Sequence, residues 1–121
     1  MVAGFAAALK EIAARVPEAE LLMVIGIDGI PIDKFQPRPN PGFEAMAAEQ
    51  TTLLRASLSA AAETGLGRLN ELTLLTERMT TLLVAITSEY FLFAGLKPGA
   101  ILGRARFALR LASHALRQEF E

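Results

Sequence analysis

Few residues of this chain have the chemistry for catalysis, and none sits beside the partners that catalysis needs. His114 is the only histidine, there is no cysteine, and no carboxylates cluster beside it, so neither a metal shell nor a nucleophile and base pair can be built around it. It reads as a partly exposed helix residue. Gly95, Gly99 and Gly103 recur every four residues, but Gly95-Leu-Lys-Pro-Gly-Ala-Ile-Leu-Gly103 lacks the Gly-Lys-Ser/Thr ending with which a phosphate loop grips phosphate and metal. A strand end, a turn and a helix start account for that spacing. Glu44, Glu49 and Glu63 fall on one long helix with no second carboxylate placed for acid/base work, although they could serve a partner. Arg106, Arg110 and Arg117, with Arg104 beside them, form a stripe on the last helix: a solvated face by default, or contact with an acidic partner. No cofactor and no metal are expected.

Composition points the same way. The 121 residues fit one domain, expected to span residues 1–121, and a chain of this size can bury a real core. Apolar residues make up 52% against 21% charged, with one Tyr and no Trp, and part of that aliphatic excess is expected at an interface. A formal net charge of −1 supplies no field to attract nucleic acid or anionic lipid. The absence of cysteine excludes disulfides and thiolate chemistry and fits a reducing compartment. The apolar start from Met1 to Leu9 has no basic residue ahead of it, so it reads as a helix and not a leader. The longest apolar runs, such as Leu21 to Ile27, are far too short to span a bilayer. A soluble cytoplasmic protein, touching neither membrane nor nucleic acid, is the expectation.

The elements that position these residues follow from periodicity. Phe5, Ala8, Leu9, Ile12 and Val16 recur at helical spacing up to Pro17, which predicts a helix over about Ala3 to Arg15. Leu21 to Ile27 is a buried-strand run, Asp28-Gly29 signals a two-residue hairpin, and Ile30 to Phe35 returns. Pro31 cannot donate a ladder hydrogen bond, which places the second strand at an edge. Gln36 to Gly42, with three prolines, is a loop. The longest helix is predicted from Phe43 to Thr64, with Gly65 at its C-terminal end. One of its faces collects Phe43, Ala47, Gln50, Leu54, Ser57, Leu58 and Ala61, flanked by Met46 and Leu53, and suits a sheet. The opposite face, Ala45, Ala48, Thr52, Ala56 and Ser59, is made of small side chains that let another helix come close. Strands over Arg68 to Thr76, Met79 to Thr87 and Tyr90 to Leu96 are joined by links too short for anything but antiparallel neighbours. Both faces of the last two are largely apolar, so the sheet is covered on both sides. A final helix carries Ile101, Leu102, Ala105, Ala108, Leu109, Ala112 and Leu116 on its core side and runs to about Gln118.

The order α-β-β-α-β-β-β-α now joins three stretches: Leu22-Met-Val-Ile-Gly-Ile-Asp-Gly-Ile-Pro-Ile32, the Ala-rich long helix, and Tyr90-Phe-Leu-Phe-Ala-Gly-Leu-Lys-Pro-Gly-Ala-Ile-Leu-Gly-Arg-Ala-Arg106. Together they resemble the Roadblock family of dynein light chains and bacterial GTPase co-regulators of the MglB kind, over almost the whole chain. The resemblance implies an α+β, Roadblock/profilin-like fold: a five-stranded antiparallel sheet with the long helix on one face and the first and last helices on the other. It implies a homodimer that joins third strands into a continuous sheet with the long helices side by side. The contact residues would be Ala45, Ala48, Thr52, Ala56 and Ser59 on the helix, and Leu69, Glu71, Thr73 and Leu75 on the strand. It implies binding to a small Ras-like GTPase without an arginine finger of its own, with Glu44, Glu49 and Arg55 as candidate partner contacts. MglB-type proteins carry a C-terminal extension beyond the last helix, whereas this sequence runs only to Glu121, which counts against an exchange-promoting role. Two other readings stay open at this point: a dimeric scaffold that leaves GTPase rates unchanged, and a ligand sensor or enzyme on the same fold.

Overall fold

The computed structural model describes residues 2–120. Three helices, α1 (Val2–Arg15), α2 (Gly42–Glu63) and α3 (Leu102–Leu116), enclose five strands, β1 (Ala19–Gly26), β2 (Pro31–Phe35), β3 (Glu71–Leu75), β4 (Thr80–Ala85) and β5 (Tyr90–Leu96). A 3-10 turn, Arg117–Phe120, follows α3. The strands pair antiparallel throughout in the order β2-β1-β5-β4-β3, so β2 and β3 are the two edges. The element order and the Pro31 edge are those expected from sequence.

Alternation along each strand divides the core into two layers. Leu22, Ala94 and Leu82 stand in one row across β1, β5 and β4, and Val24, Leu92 and Val84 in the next. These rows meet Phe5, Leu9, Ile12 and Val16 of α1 and Ala105, Ala108 and Leu109 of α3. The intervening rows, Met23 with Phe93 and Leu83, and Ile25 with Phe91 and Ala85, point the other way and receive Ala47, Leu54 and Leu58 of α2. Central strands buried on both faces explain why their sequences are nearly continuous apolar runs. Phe120 closes the α1 side, its ring stacked 5.3 Å from Phe5 and 4.5 Å from Tyr90.

Local chemistry sets the boundaries. Asn40 turns the chain into α2, its Oδ1 accepting from the Gly42 N–H at 3.0 Å and its carbonyl from the Phe43 N–H at 3.1 Å. At the other end Gly65 takes φ +75°, and the N–H groups of Leu66 and Gly65 bond the carbonyls of Ala61 and Ala62, a paired cap that needs a residue free to enter the left-handed region.

Several expectations need correction. The Gly26 N–H bonds the Ile30 carbonyl at 3.1 Å, so the β1–β2 hairpin closes over three residues, Ile27 to Gly29, not two, and the strand itself resumes at Pro31. The Gly29 N–H bonds the Gly26 carbonyl at 2.9 Å and Gly29 lies at φ +86°, a four-residue turn closed by a left-handed glycine. β3 begins at Glu71, three residues later than expected, because Gly65 and Gly67, both at positive φ, hold the preceding segment irregular. Leu69 therefore precedes the strand and packs into the α2-side layer. Ile101 is not on the core side of α3; it is the residue before the helix and 55% exposed. Thr51 and Ser113, polar positions within helices, are buried. Each spends its hydroxyl on a carbonyl one turn back, of Ala48 and of Arg110.

The arginine stripe on α3 is the largest departure from the sequence reading. Its members do not simply face solvent. Arg106 grips both carboxylate oxygens of Glu71 on β3 at 2.7 to 2.9 Å, and Arg110 reaches the same carboxylate at 3.3 Å. Thr73 also donates to it. Arg117 Nε donates to the Ile86 carbonyl at 3.0 Å. The stripe ties α3 to the β3–β4 edge of the sheet. The Glu71 side chain is 13% exposed and that of Arg106 33%, so the fork is partly desolvated and worth more than a surface pair. These guanidinium bonds hold the Glu71 carboxyl below the ordinary carboxylate range, against an opposing push from burial. A carboxyl whose folded-state pKa is depressed adds stability that is fully present above its unfolded pKa. That stability is lost as pH falls through the folded value. Replacing Glu71 with Gln is expected to lower stability by about 1–3 kcal/mol at pH 7. Urea melts should show the gap between wild type and variant shrinking below about pH 4.5, the carboxyl's ordinary value. A gap constant from pH 7 to 3 would show that the ion pair contributes nothing.

Candidate partner interface

The residues singled out for self-association occupy adjoining surfaces. Leu54, 0% exposed, anchors α2 to the sheet. With that anchor in place, Ala45, Ala48, Thr52, Ala56 and Ser59 all face outward and all are exposed. Beside them runs β3, an edge strand whose outer side pairs with no strand among the described residues. Leu58 of α2 and Leu69 and Leu72 at β3 share one apolar layer, so helix face and strand edge lie next to each other. Glu71 and Thr73 are on this edge but turn their side chains to α3, so they can offer a partner their backbone and not their charge. Leu75 is 70% exposed.

Large apolar residues strengthen this surface: Leu66 and Leu74, which sequence reasoning passed over, and Leu53, which was expected beside the sheet-facing side of α2 but is 49% exposed. Leu53 on α2, Leu66 after it, and Leu74 on β3 are exposed, Leu66 by 79%. Together with Leu75 they border the small-residue face and the free edge with large apolar side chains, a pattern typical of surfaces that another protein covers. Consecutive leucines at 74 and 75 were the available signal: successive strand residues point to opposite faces, and the sheet ends there before a helix covers either.

The candidate GTPase contacts do not form one cluster. Glu44 pairs with Lys34 of β2 at 2.7 Å at the start of α2, and Arg55 donates to the Ile27 carbonyl at the β1–β2 turn. Glu49 is exposed between them. Arg55 thereby links the middle of α2 to the hairpin, and Thr52 accepts its second nitrogen at 3.4 Å. His114 is exposed, as expected, and Gly95, Gly99 and Gly103 fall at a strand end, a turn and a helix start. Among the described residues no group of three or more His, Cys, Asp or Glu could hold a metal ion, and no helix is long and apolar enough to cross a membrane.

A five-stranded antiparallel sheet between one long helix and a helix pair is the architecture of a Roadblock-type domain. Solved structures with this fold include MglB from Myxococcus xanthus, with a TM-score of 0.88 at 15% identity over 98% of this chain and 89% of that one. A Roadblock/LC7 domain from Streptomyces avermitilis gives 0.82 at 16% identity over 93% and 94%. MglC from Myxococcus xanthus gives 0.73 at 26% identity over 96% and 98%. No family model matches the sequence, and no curated protein matches it at the level of sequence. The resemblance to the Roadblock family read from the residues is borne out in the fold.

Proposed function

We propose that this chain is a non-catalytic module, acting in the cytoplasm as a homodimer, that binds a small Ras-like GTPase and regulates it, in the activating direction. The observation that carries this reading is the uncovered small-residue face of α2 beside the free β3 edge. Two copies placed edge to edge would extend the sheet to ten strands and lay the two α2 helices against each other. The exposed leucines at 53, 66, 74 and 75 would then be covered. Likeness in fold to MglB and MglC supports a role in GTPase control. Glu44 in the first turn of α2, with Glu49 and Arg55 further along it, would be left to meet the partner.

The test combines mass and rate. Equilibrium sedimentation at micromolar concentration should give the mass of two chains, and the protein alone should turn over neither GTP nor ATP. Added to the Ras-like GTPase encoded nearest its gene, it should bind and speed hydrolysis. Binding with no change of rate would favour a scaffold role; no binding at all, or turnover by the chain alone that tracks it through purification, would overturn the proposal.

A further inference from the structure

A second surface, on the α3 side of the sheet and away from the outer face of α2, gathers positive charge. Arg68, from the segment leading into β3, and Arg110 and Arg117, from α3 and the turn after it, line one open cleft of about 310 Å3. Thr87 and Ser113 also line it, their hydroxyls bonded to the Glu89 and Tyr90 N–H groups and to the Arg110 carbonyl, and no carboxylate among the described residues lines it. Arg117 uses its Nε on the Ile86 carbonyl, which pins the guanidinium against the wall while its Nη groups bond none of the described residues. Arg68 likewise bonds none of them. Among the described residues, the one carboxylate bonded to any of the three is Glu71, which holds Arg110 at 3.3 Å and is already gripped more closely by Arg106. A chain of formal net charge −1 thus places three guanidiniums around one solvent-filled space with little to balance them.

We propose that this cleft binds a small phosphorylated anion. Guanidinium forks match the geometry of phosphate oxygens in pairs, and three of them are better balanced by a multiply charged group than by a single carboxylate. The volume is at the lower end of ligand-binding clefts, the size of a diphosphate group with a small substituent. Isothermal titration of the full-length protein with sodium pyrophosphate, at ionic strength held constant with sodium chloride, is expected to show saturable binding of one anion per chain. Arg68 is exposed and makes no hydrogen bond or ion pair with the described residues, so the Arg68→Ala protein should keep its circular dichroism spectrum and lose about tenfold or more in affinity. Arg104→Ala, on α3 but outside the cleft, should bind as wild type. Absence of saturable binding at millimolar pyrophosphate, or equal affinity in the Arg68→Ala and Arg104→Ala proteins, would overturn the proposal.

Discussion

Replacing Ala56 with Arg should convert the proposed dimer into folded monomers. Ala56 is exposed at the centre of the small face of α2, where the proposed contact brings two helices together. Close approach depends on side chains that end at or near Cβ, and a guanidinium on each partner would put two like charges into that contact. Leaving such charges buried and unpaired costs about 3–5 kcal/mol, a hundredfold or more in the dimer constant. On a helix face that stays in water the same change would be worth within about 0.5 kcal/mol. The protomer should keep its fold, because Ala56 contacts neither core layer. Sedimentation of the variant should give a single-chain mass, with circular dichroism unchanged. GTPase binding, if it needs both copies of α2, should fall with the dimer. A variant that stays dimeric at unchanged stability would move the interface elsewhere, and a folded monomer that binds the GTPase normally would separate dimerisation from recognition.

Two residues earlier on the same helix, the opposite outcome is expected. Leu54 is 0% exposed and meets the row of Met23, Phe93 and Leu83 on the sheet. Truncating it to Ala removes buried methyl groups and leaves a cavity that the flanking rows, tied by strand hydrogen bonds, cannot close. A loss of about 2–5 kcal/mol follows, a large part of the stability of a domain of this size. Leu54→Ala should therefore show a lowered urea midpoint that depends little on protein concentration. The Ala56→Arg change, by contrast, should remove the concentration dependence of melting that a dimer displays. If Leu54→Ala melted like wild type, α2 would not be held to the sheet by this side chain.

These two positions also mark what could be read in advance. Leu54 and Ala56 are separated onto opposite faces by the 100° step of a helix, and that step follows from sequence spacing alone. The strands of β4 and β5 were legible for a similar reason. Apolar residues at consecutive positions need cover on both faces, so Phe91 and Phe93 could be assigned to one layer and Leu92 and Ala94 to the other before any coordinates existed. Irregular boundaries were not legible. Whether the Asp28-Gly29 hairpin closes over two residues or three turns on the left-handed Gly29 and on which carbonyl its N–H finds, a competition between turns of similar energy. The start of β3 depended on Gly67 in the same way.

Sequence by itself determined the order of elements, the two alternating layers along the central strands, the edge position of Pro31 and the small outer face of α2. All of these arise from interactions within a turn or a strand, or from the backbone limits of single residues. Only the tertiary structure decided where the charges go. Arg106 and Glu71 stand 35 residues apart, and nothing in their spacing pairs them. They meet because α3 packs over β4 beside the edge strand β3, and the paired guanidinium bonds there outweigh the cost of partly burying the carboxylate. Arg68 and Arg117 converge for the same reason. A long flexible cation takes its partner from whatever the packing of the apolar layers brings within reach, so its role follows the fold and cannot precede it.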